Sequence, residues 1–179
     1  MTTAAYLSTG PFPDQGSTQK TKRVKKRGGD WNTTAARLQP FQVMMMAKLN
    51  ADMKTLFSRT KLFPVATASK AGIPNVVPIA YVRLVSDDTL WIADNFMKKT
   101  LANLKENPHA AIYILDPDSK ECYQIKGNIE VKNSGPDFDT MKEWVQGAKP
   151  GMPAKTLLVM KVTEVYQCAP GPDAGKKIL

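Results

Sequence analysis

The sequence has few of the residues on which metal sites and disulfide-rich folds depend. Among its 179 residues there are two cysteines, Cys122 and Cys168, and one histidine, His109. No Cys-x-x-Cys, His-x-His or His-Glu-x-x-His spacing is present, so we expect no metal site. The cysteines fall in different predicted strands, where a bridge is geometrically allowed but unsupported. We expect both to be small buried thiols.

Long apolar runs are also missing. No stretch approaches the roughly 18–20 apolar residues that a bilayer span needs. Residues 1–16 lack the basic start and apolar stretch of a secretory signal. Hydrophobic residues make up 42% of the chain, enough for one ordinary core. We therefore expect a cytoplasmic protein without a membrane partner.

The first quarter of the chain lacks apolar periodicity. Residues 1–43 carry seven Lys/Arg and two Asp, so they hold +5 of the net charge of +9. Such a composition predicts a disordered basic extension over residues 1–45, since it cannot bury enough apolar surface to order itself. The basic run 20–27 suggests a contact with nucleic acid or acidic lipid, but it lacks interleaved aromatic residues. We favour a solvated tail; translation starting at Met44, Met45 or Met46 is the other interpretation.

A regular pattern of elements begins at Met46 and predicts one domain over residues 46–169, followed by a C-terminal tail over 170–179. Apolar residues from Met46 to Phe57 recur on one face of a three-turn helix. Short helices are also predicted after residue 97 and after Gly135. Predicted strands cover 63–69, 75–85, 89–93, 109–115, 121–131 and 156–168. Six strands with short connections predict a mainly β protein, a six-stranded antiparallel barrel with short flanking helices. Pro78 inside the second strand predicts an edge position or a bulge.

The most informative segment is 97–103, Met-Lys-Lys-Thr-Leu-Ala-Asn. Adjacent lysines at a helix N-terminus face the positive end of the helix dipole, which costs about 0.3–1 kcal/mol each unless an anion compensates. Free backbone N–H groups, two ammonium groups and the Thr100 hydroxyl together make a phosphate site. Alone, this heptad is also compatible with a solvated surface.

Three longer stretches carry a resemblance to a known family. They are FPVATASKAGIPNVVPIAYV, DDTLWIADNFMKKTLANLKENP and CYQIKGNIEV. In order and spacing they resemble the FMN-binding split barrels, the pyridoxamine 5'-phosphate oxidase-like superfamily, and above all its compact FMN-binding members. The resemblance covers about residues 46–169. It implies a split β-barrel that binds flavin mononucleotide (FMN), with the deazaflavin F420 and haem as alternatives because split-barrel relatives use them too.

The resemblance also implies which residues hold the flavin. They form a phosphate group, two sides of the isoalloxazine ring and one contact from a neighbouring strand. In that order they are Lys98, Lys99, Thr100 and the nearby Asn103; the backbone of Val77, Pro78, Ile79 and Ala80, and Asp94, Asn95, Phe96 and Met97; and Gln124. Pro78 and Ile79 replace polar residues of some compact relatives, which alters hydrogen bonding at the pyrimidine edge.

Catalytic residues are not identifiable, because no acid, base or nucleophile cluster stands out. The chain lacks the Arg- and His-containing tail with which the true oxidase grips its substrate, so pyridoxamine phosphate oxidation is not expected. Two function classes remain: an FMN-dependent oxidoreductase with an unidentified substrate, or a non-catalytic FMN carrier or electron-transfer module.

Apolar residues at consecutive positions predict a homodimer. Residues 76–82 and 157–160 do not alternate as a strand wetted on one face should. A barrel of this size is filled by its own side chains, so a flavin must lie outside it. A second copy would cover both the strands and the flavin, as the resemblance also implies. Flanking helices in a monomer are the alternative cover.

Overall fold

The structure, a computed structural model, describes residues 47–179. The predicted N-terminal extension, including its basic run, lies outside the described residues. Three helices and seven strands follow in this order: α1 Ala51–Arg59, β1 Phe63–Ala68, β2 Pro74–Ile79, β3 Val82–Ser86, β4 Thr89–Asp94, α2 Lys99–Glu106, β5 His109–Leu115, β6 Cys122–Lys132, α3 Pro136–Ala148 and β7 Thr156–Gln167. The mainly β prediction is confirmed.

The strands form one antiparallel sheet in the order β2-β1-β5-β6-β7-β4-β3. The predicted second strand, 75–85, is two strands, which raises the count from six to seven. The chain leaves β2 at one edge of the sheet and enters β3 at the opposite edge after only Ala80 and Tyr81. The sheet must therefore curl until its edges approach, which is the split-barrel shape. Pro78 lies on edge strand β2, as predicted. Proline has no N–H to donate, and at the open side of an edge strand no neighbouring strand needs that donor.

Helix α1 begins five residues later than the apolar pattern predicts. The Asn50 side chain accepts a hydrogen bond from the Met53 amide at 2.9 Å and so caps the helix at that point. The segment before α1 is instead hydrogen-bonded to strand β7, since the Ala47 amide donates to the Val162 carbonyl. Leu49 is therefore buried although it lies before the start of α1, outside the helix.

Two apolar clusters hold the domain together. The larger fills the barrel and includes Val65, Ile92, Ile112 and Ile125, all fully buried. The smaller lies outside the barrel, where α3 packs on strands β4 and β7. The outer face of these two strands is therefore covered within the chain itself.

The two cysteines differ in exposure. Cys122 is buried, whereas Cys168 is exposed. The prediction that both are buried is thus wrong for Cys168, because β7 ends at Gln167 and Cys168 begins the C-terminal segment. Both thiols are free.

Over residues 47–179, no helix combines the length and the apolar character required to cross a membrane.

Candidate functional site

A cavity of about 560 Å³ lies where the end of β2, the loop after β4 and the start of α2 meet. One end carries the lysines of α2 and the rest is mostly apolar. Its lining residues are Val77, Pro78, Ile79, Ala80, Tyr81, Ala93, Asn95, Phe96, Met97, Lys98, Lys99, Thr100 and Met152. Ten of the thirteen residues named from the sequence line this one cavity; Asp94, Asn103 and Gln124 do not.

The start of α2 is cationic and uncapped. Lys98 occupies the N-cap position without a side-chain hydrogen bond, and the first turn has no acidic residue. Both Lys98 and Lys99 are exposed. Neither forms an ion pair with another described residue. Free N–H groups, the helix dipole and two ammonium groups therefore lie together at the start of α2, whose first turn holds no acidic side chain.

A polar network fixes this helix on the sheet. Thr100 is 1% exposed, and its hydroxyl accepts a hydrogen bond from the Asn75 side chain at 3.1 Å. A hydroxyl that accepts a hydrogen bond can also donate one, and Thr100 lines the cavity. Asn103 donates to the Thr67 hydroxyl at 3.2 Å and so binds α2 to β1 instead of facing the cavity. Its place near the phosphate stays a prediction, and its observed contact is structural.

The loop between β4 and α2 is held at both ends. The buried Asp94 carboxylate accepts from the Met97 amide at 2.7 Å, which turns it into the loop and away from the cavity. Asn95 accepts from the Ala154 amide at 3.0 Å. Phe96, between them, is 71% exposed at the cavity edge, with the Lys155 ammonium 5.9 Å from its ring centre. The loop thus presents an aromatic ring on a fixed backbone.

Three lining residues were not predicted. Tyr81 and Ala93 extend the predicted runs by one position, and their backbones are joined by a 3.0 Å hydrogen bond from the Ala93 amide to the Tyr81 carbonyl. Met152 comes from the connection between α3 and β7, more than fifty residues along the chain. No local signal in the sequence points to Met152.

Gln124 lies elsewhere, on β6, opposite Tyr113 of β5 and Tyr166 of β7. Lys126, two residues on and on the same side of β6, helps line a broader groove of about 920 Å³ across the outer faces of β1, β5, β6 and β7. His109 also lines this groove and bonds Asn128 at 2.8 Å. Gln124 therefore does not line the 560 Å³ cavity of its own chain, and its contact with a flavin stays a prediction.

Comparison with known proteins points to one family. The family model for pyridoxamine 5'-phosphate oxidase matches residues 49–169. An uncharacterised protein of Methanocaldococcus jannaschii is 36% identical over 135 residues, which cover 74% of this chain and 89% of that protein. HupZ of Group A Streptococcus is 28% identical, with a TM-score of 0.63 over 71% of this chain and 99% of HupZ.

More distant solved structures share the fold alone. An FMN-binding protein from Syntrophomonas wolfei has a TM-score of 0.58 at 21% identity, over 65% of this chain and 82% of its own. An F420 reductase, at 19% identity, has a TM-score of 0.52 over 63% of this chain and 94% of its own. The heme storage protein HutZ of Vibrio cholerae, at 12% identity, also has a TM-score of 0.52, over 68% and 95%. The names of these three proteins refer to FMN, F420 and heme.

Proposed function

Because the chain belongs to the pyridoxamine 5'-phosphate oxidase family, we propose that it is a flavoprotein that binds FMN in the cavity at the start of α2. One observation supports this above all others. Two exposed lysines without ion-pair partners stand at an uncapped helix start, at one end of a cavity whose other walls are largely apolar. A phosphate monoester on a flat aromatic ring has the matching charge and shape.

The residues that line the cavity suggest which of them contact each part of FMN. Lys98 and Lys99 neutralise the phosphate, and the Thr100 hydroxyl donates to one of its oxygens. The backbone of residues 77–80 borders one side of the ring, while Asn95, Phe96 and Met97 border the other. When bound, FMN supplies electron-transfer chemistry, while the chain orients the ring and excludes water from it.

An FMN-dependent oxidoreductase with an unidentified substrate is the function that we propose first. A non-catalytic FMN carrier or electron-transfer module is the second, favoured by the composition of the cavity itself. Apart from Lys98 and Lys99, which face the phosphate, its lining offers no acid–base pair.

Absorption spectroscopy of the purified full chain titrated with FMN tests the proposal. We expect one bound flavin per chain, with a band at ~450 nm perturbed on binding. Turnover with reduced nicotinamides then separates the two functions, because a carrier binds flavin without consuming the nicotinamide. If the protein does not bind FMN but binds the deazaflavin F420, or shows the Soret band of haem, that cofactor replaces FMN as the proposed ligand of the cavity.

We further propose that the chain is a homodimer whose flavin lies at the interface. The outer face of β2, β1 and β5 has no cover within the described chain: Val76 is 65% exposed and Tyr113 is 40% exposed. The groove across β1, β5, β6 and β7 continues this face. Residues 157–160, in contrast, need no partner, because α3 covers Leu157 and Val159. Only one of the two apolar stretches noted in the sequence therefore supports pairing.

Light scattering at micromolar concentration is expected to give about twice the chain mass of 19.7 kDa. Val76→Glu should shift the mass toward one chain and weaken FMN binding, because a charge in an apolar interface is costly. Val85→Glu is the matched control, since Val85 is also an exposed valine, 40% accessible, but lies on β3 at the opposite edge of the sheet. A wild-type mass of one chain with flavin still bound would refute the interface.

A further inference from the structure

The two cysteines lie directly opposite each other at the end of one strand pair. The register of β6 and β7 pairs Tyr123 with Gln167, and the Cys168 amide continues it by donating to the Cys122 carbonyl at 2.8 Å. Opposite residues of an antiparallel pair point to the same side, with Cβ atoms about 4.5–5.5 Å apart. A disulfide needs about 3.5–4.5 Å, so a small closure joins them.

Their environments are unequal in a way that suits sequential oxidation. Cys168 is exposed and can meet a soluble oxidant, whereas Cys122 is buried. Burial raises the pKa of the Cys122 thiol, and the neighbouring Cys168 raises it further. Cys122 is therefore protected from direct attack by an oxidant in solution, yet it stands beside the residue that is attacked.

We propose that Cys122 and Cys168 form an oxidisable dithiol, in which Cys168 reacts first with a peroxide and Cys122 resolves it as an intrachain disulfide. This proposal does not depend on FMN binding. It makes the start of β6 and the end of β7 a modification site. The resulting bridge ties the C-terminal segment, whose backbone pairs with β7 through Val165 and Gln167, to β6.

The chemistry balances with hydrogen peroxide as the oxidant. The Cys168 thiolate sulfur attacks one peroxide oxygen, the O–O bond breaks, and the other oxygen departs as hydroxide, which one proton converts to water. The Cys168 sulfenic acid is then attacked by the Cys122 sulfur, which forms the S–S bond and breaks the S–O bond. The second oxygen leaves as water with the Cys122 proton. Two thiols lose two electrons, and one peroxide becomes two waters.

Peptide mapping of the folded full-length protein tests the proposal. The protein is treated with hydrogen peroxide and then unfolded in the presence of N-ethylmaleimide, which also blocks the buried Cys122 if it is still a free thiol. It is then cut with trypsin. We expect peptides 121–126 and 162–176 to appear joined, and both free thiols to disappear together. A thiol-reducing agent should restore the two separate peptides.

Two variants assign the steps. Cys168→Ser, at the exposed position, should leave Cys122 unreacted under the same treatment. Cys122→Ser should stop the reaction at a Cys168 sulfenic acid, which dimedone traps. If the buried substitution prevents folding, the wild-type map and Cys168→Ser still decide. The proposal is overturned if wild-type Cys122 remains blockable while Cys168 is oxidised alone or bridges two chains.

Discussion

Lys99→Ala is expected to weaken FMN binding by about 10- to 150-fold while leaving riboflavin binding nearly unchanged. The range corresponds to about 1.5–3 kcal/mol, the usual value of one charge-assisted hydrogen bond to an anion. Riboflavin carries the same ring without the phosphate, so it does not use the cationic end of the cavity. The difference between the two ligands therefore isolates the phosphate contact from any general effect on the cavity.

Isothermal titration with both ligands measures this difference. Lys105→Ala is the matched control, because Lys105 is exposed on the same helix but in its last turn. It removes the same charge from α2 without touching the cavity, so both affinities should stay within about twofold of wild type. Equal losses of FMN and riboflavin affinity in Lys99→Ala would place the phosphate elsewhere.

The cationic end of the cavity could be predicted because its parts are adjacent in sequence. Lys98, Lys99 and Thr100 form a continuous run, and a helix start brings such a run to one point. Asn103 shows the limit of this reasoning. One turn further along, it was predicted to lie near the same phosphate, but the structure directs its side chain to Thr67 on β1. Which side of a short helix faces a sheet depends on the sheet.

Contacts between distant segments could not be predicted. Met152 reaches the cavity only because β7 lies beside β4, a pairing that joins Asp94 to Thr156 across the sheet. The cover that α3 gives to the outer face of β4 and β7 has the same origin. The sequence indicated that both faces of residues 157–160, in β7, are covered, but an apolar residue does not specify whether a helix or a second chain covers it.

The division of the predicted second strand has a different cause. The sequence from Asn75 to Val85 favours extended chain throughout, and the structure is extended on both sides of Ala80 and Tyr81. Local preference does not show that the two halves pair at opposite edges of the sheet, with β1 and with β4. This change of partner closes the barrel and places residues 77–81 beside the cavity.

Gly127→Ala is expected to destabilise the domain by about 3 kcal/mol, the upper end of the usual range for an overfilled interior. A Cβ at Gly127 would stand 2.3 Å from the Lys161 carbonyl oxygen and 2.9 Å from Cγ of Met160. The Met160 side chain can turn aside, but the Lys161 carbonyl belongs to β7, whose backbone at this point pairs with both β6 and β4. Moving it disturbs two ladders at once.

The register explains why the strands come so close at this position. Lys126 pairs with Glu164 and Gly127 with Val162, so Thr163 is an extra residue in β7. A bulge of this kind bends the strand and increases its twist. Here the bend carries the β7 backbone over Gly127, which fits because it has no side chain. Gly127 thus has a packing role in curling the sheet.

Urea unfolding followed by circular dichroism measures the effect, and Gly147→Ala is the control. Gly147 lies in α3, and no heavy atom within 4 Å opposes a Cβ there. Alanine in a helix is favoured over glycine by about 0.5–1 kcal/mol, so the same substitution should leave the domain as stable as wild type or more so. If both variants unfold at the wild-type urea concentration, β6 and β7 can separate at little cost. The sheet would then tolerate a side chain at the bulge, and the close contact with the β7 backbone would not require glycine at position 127.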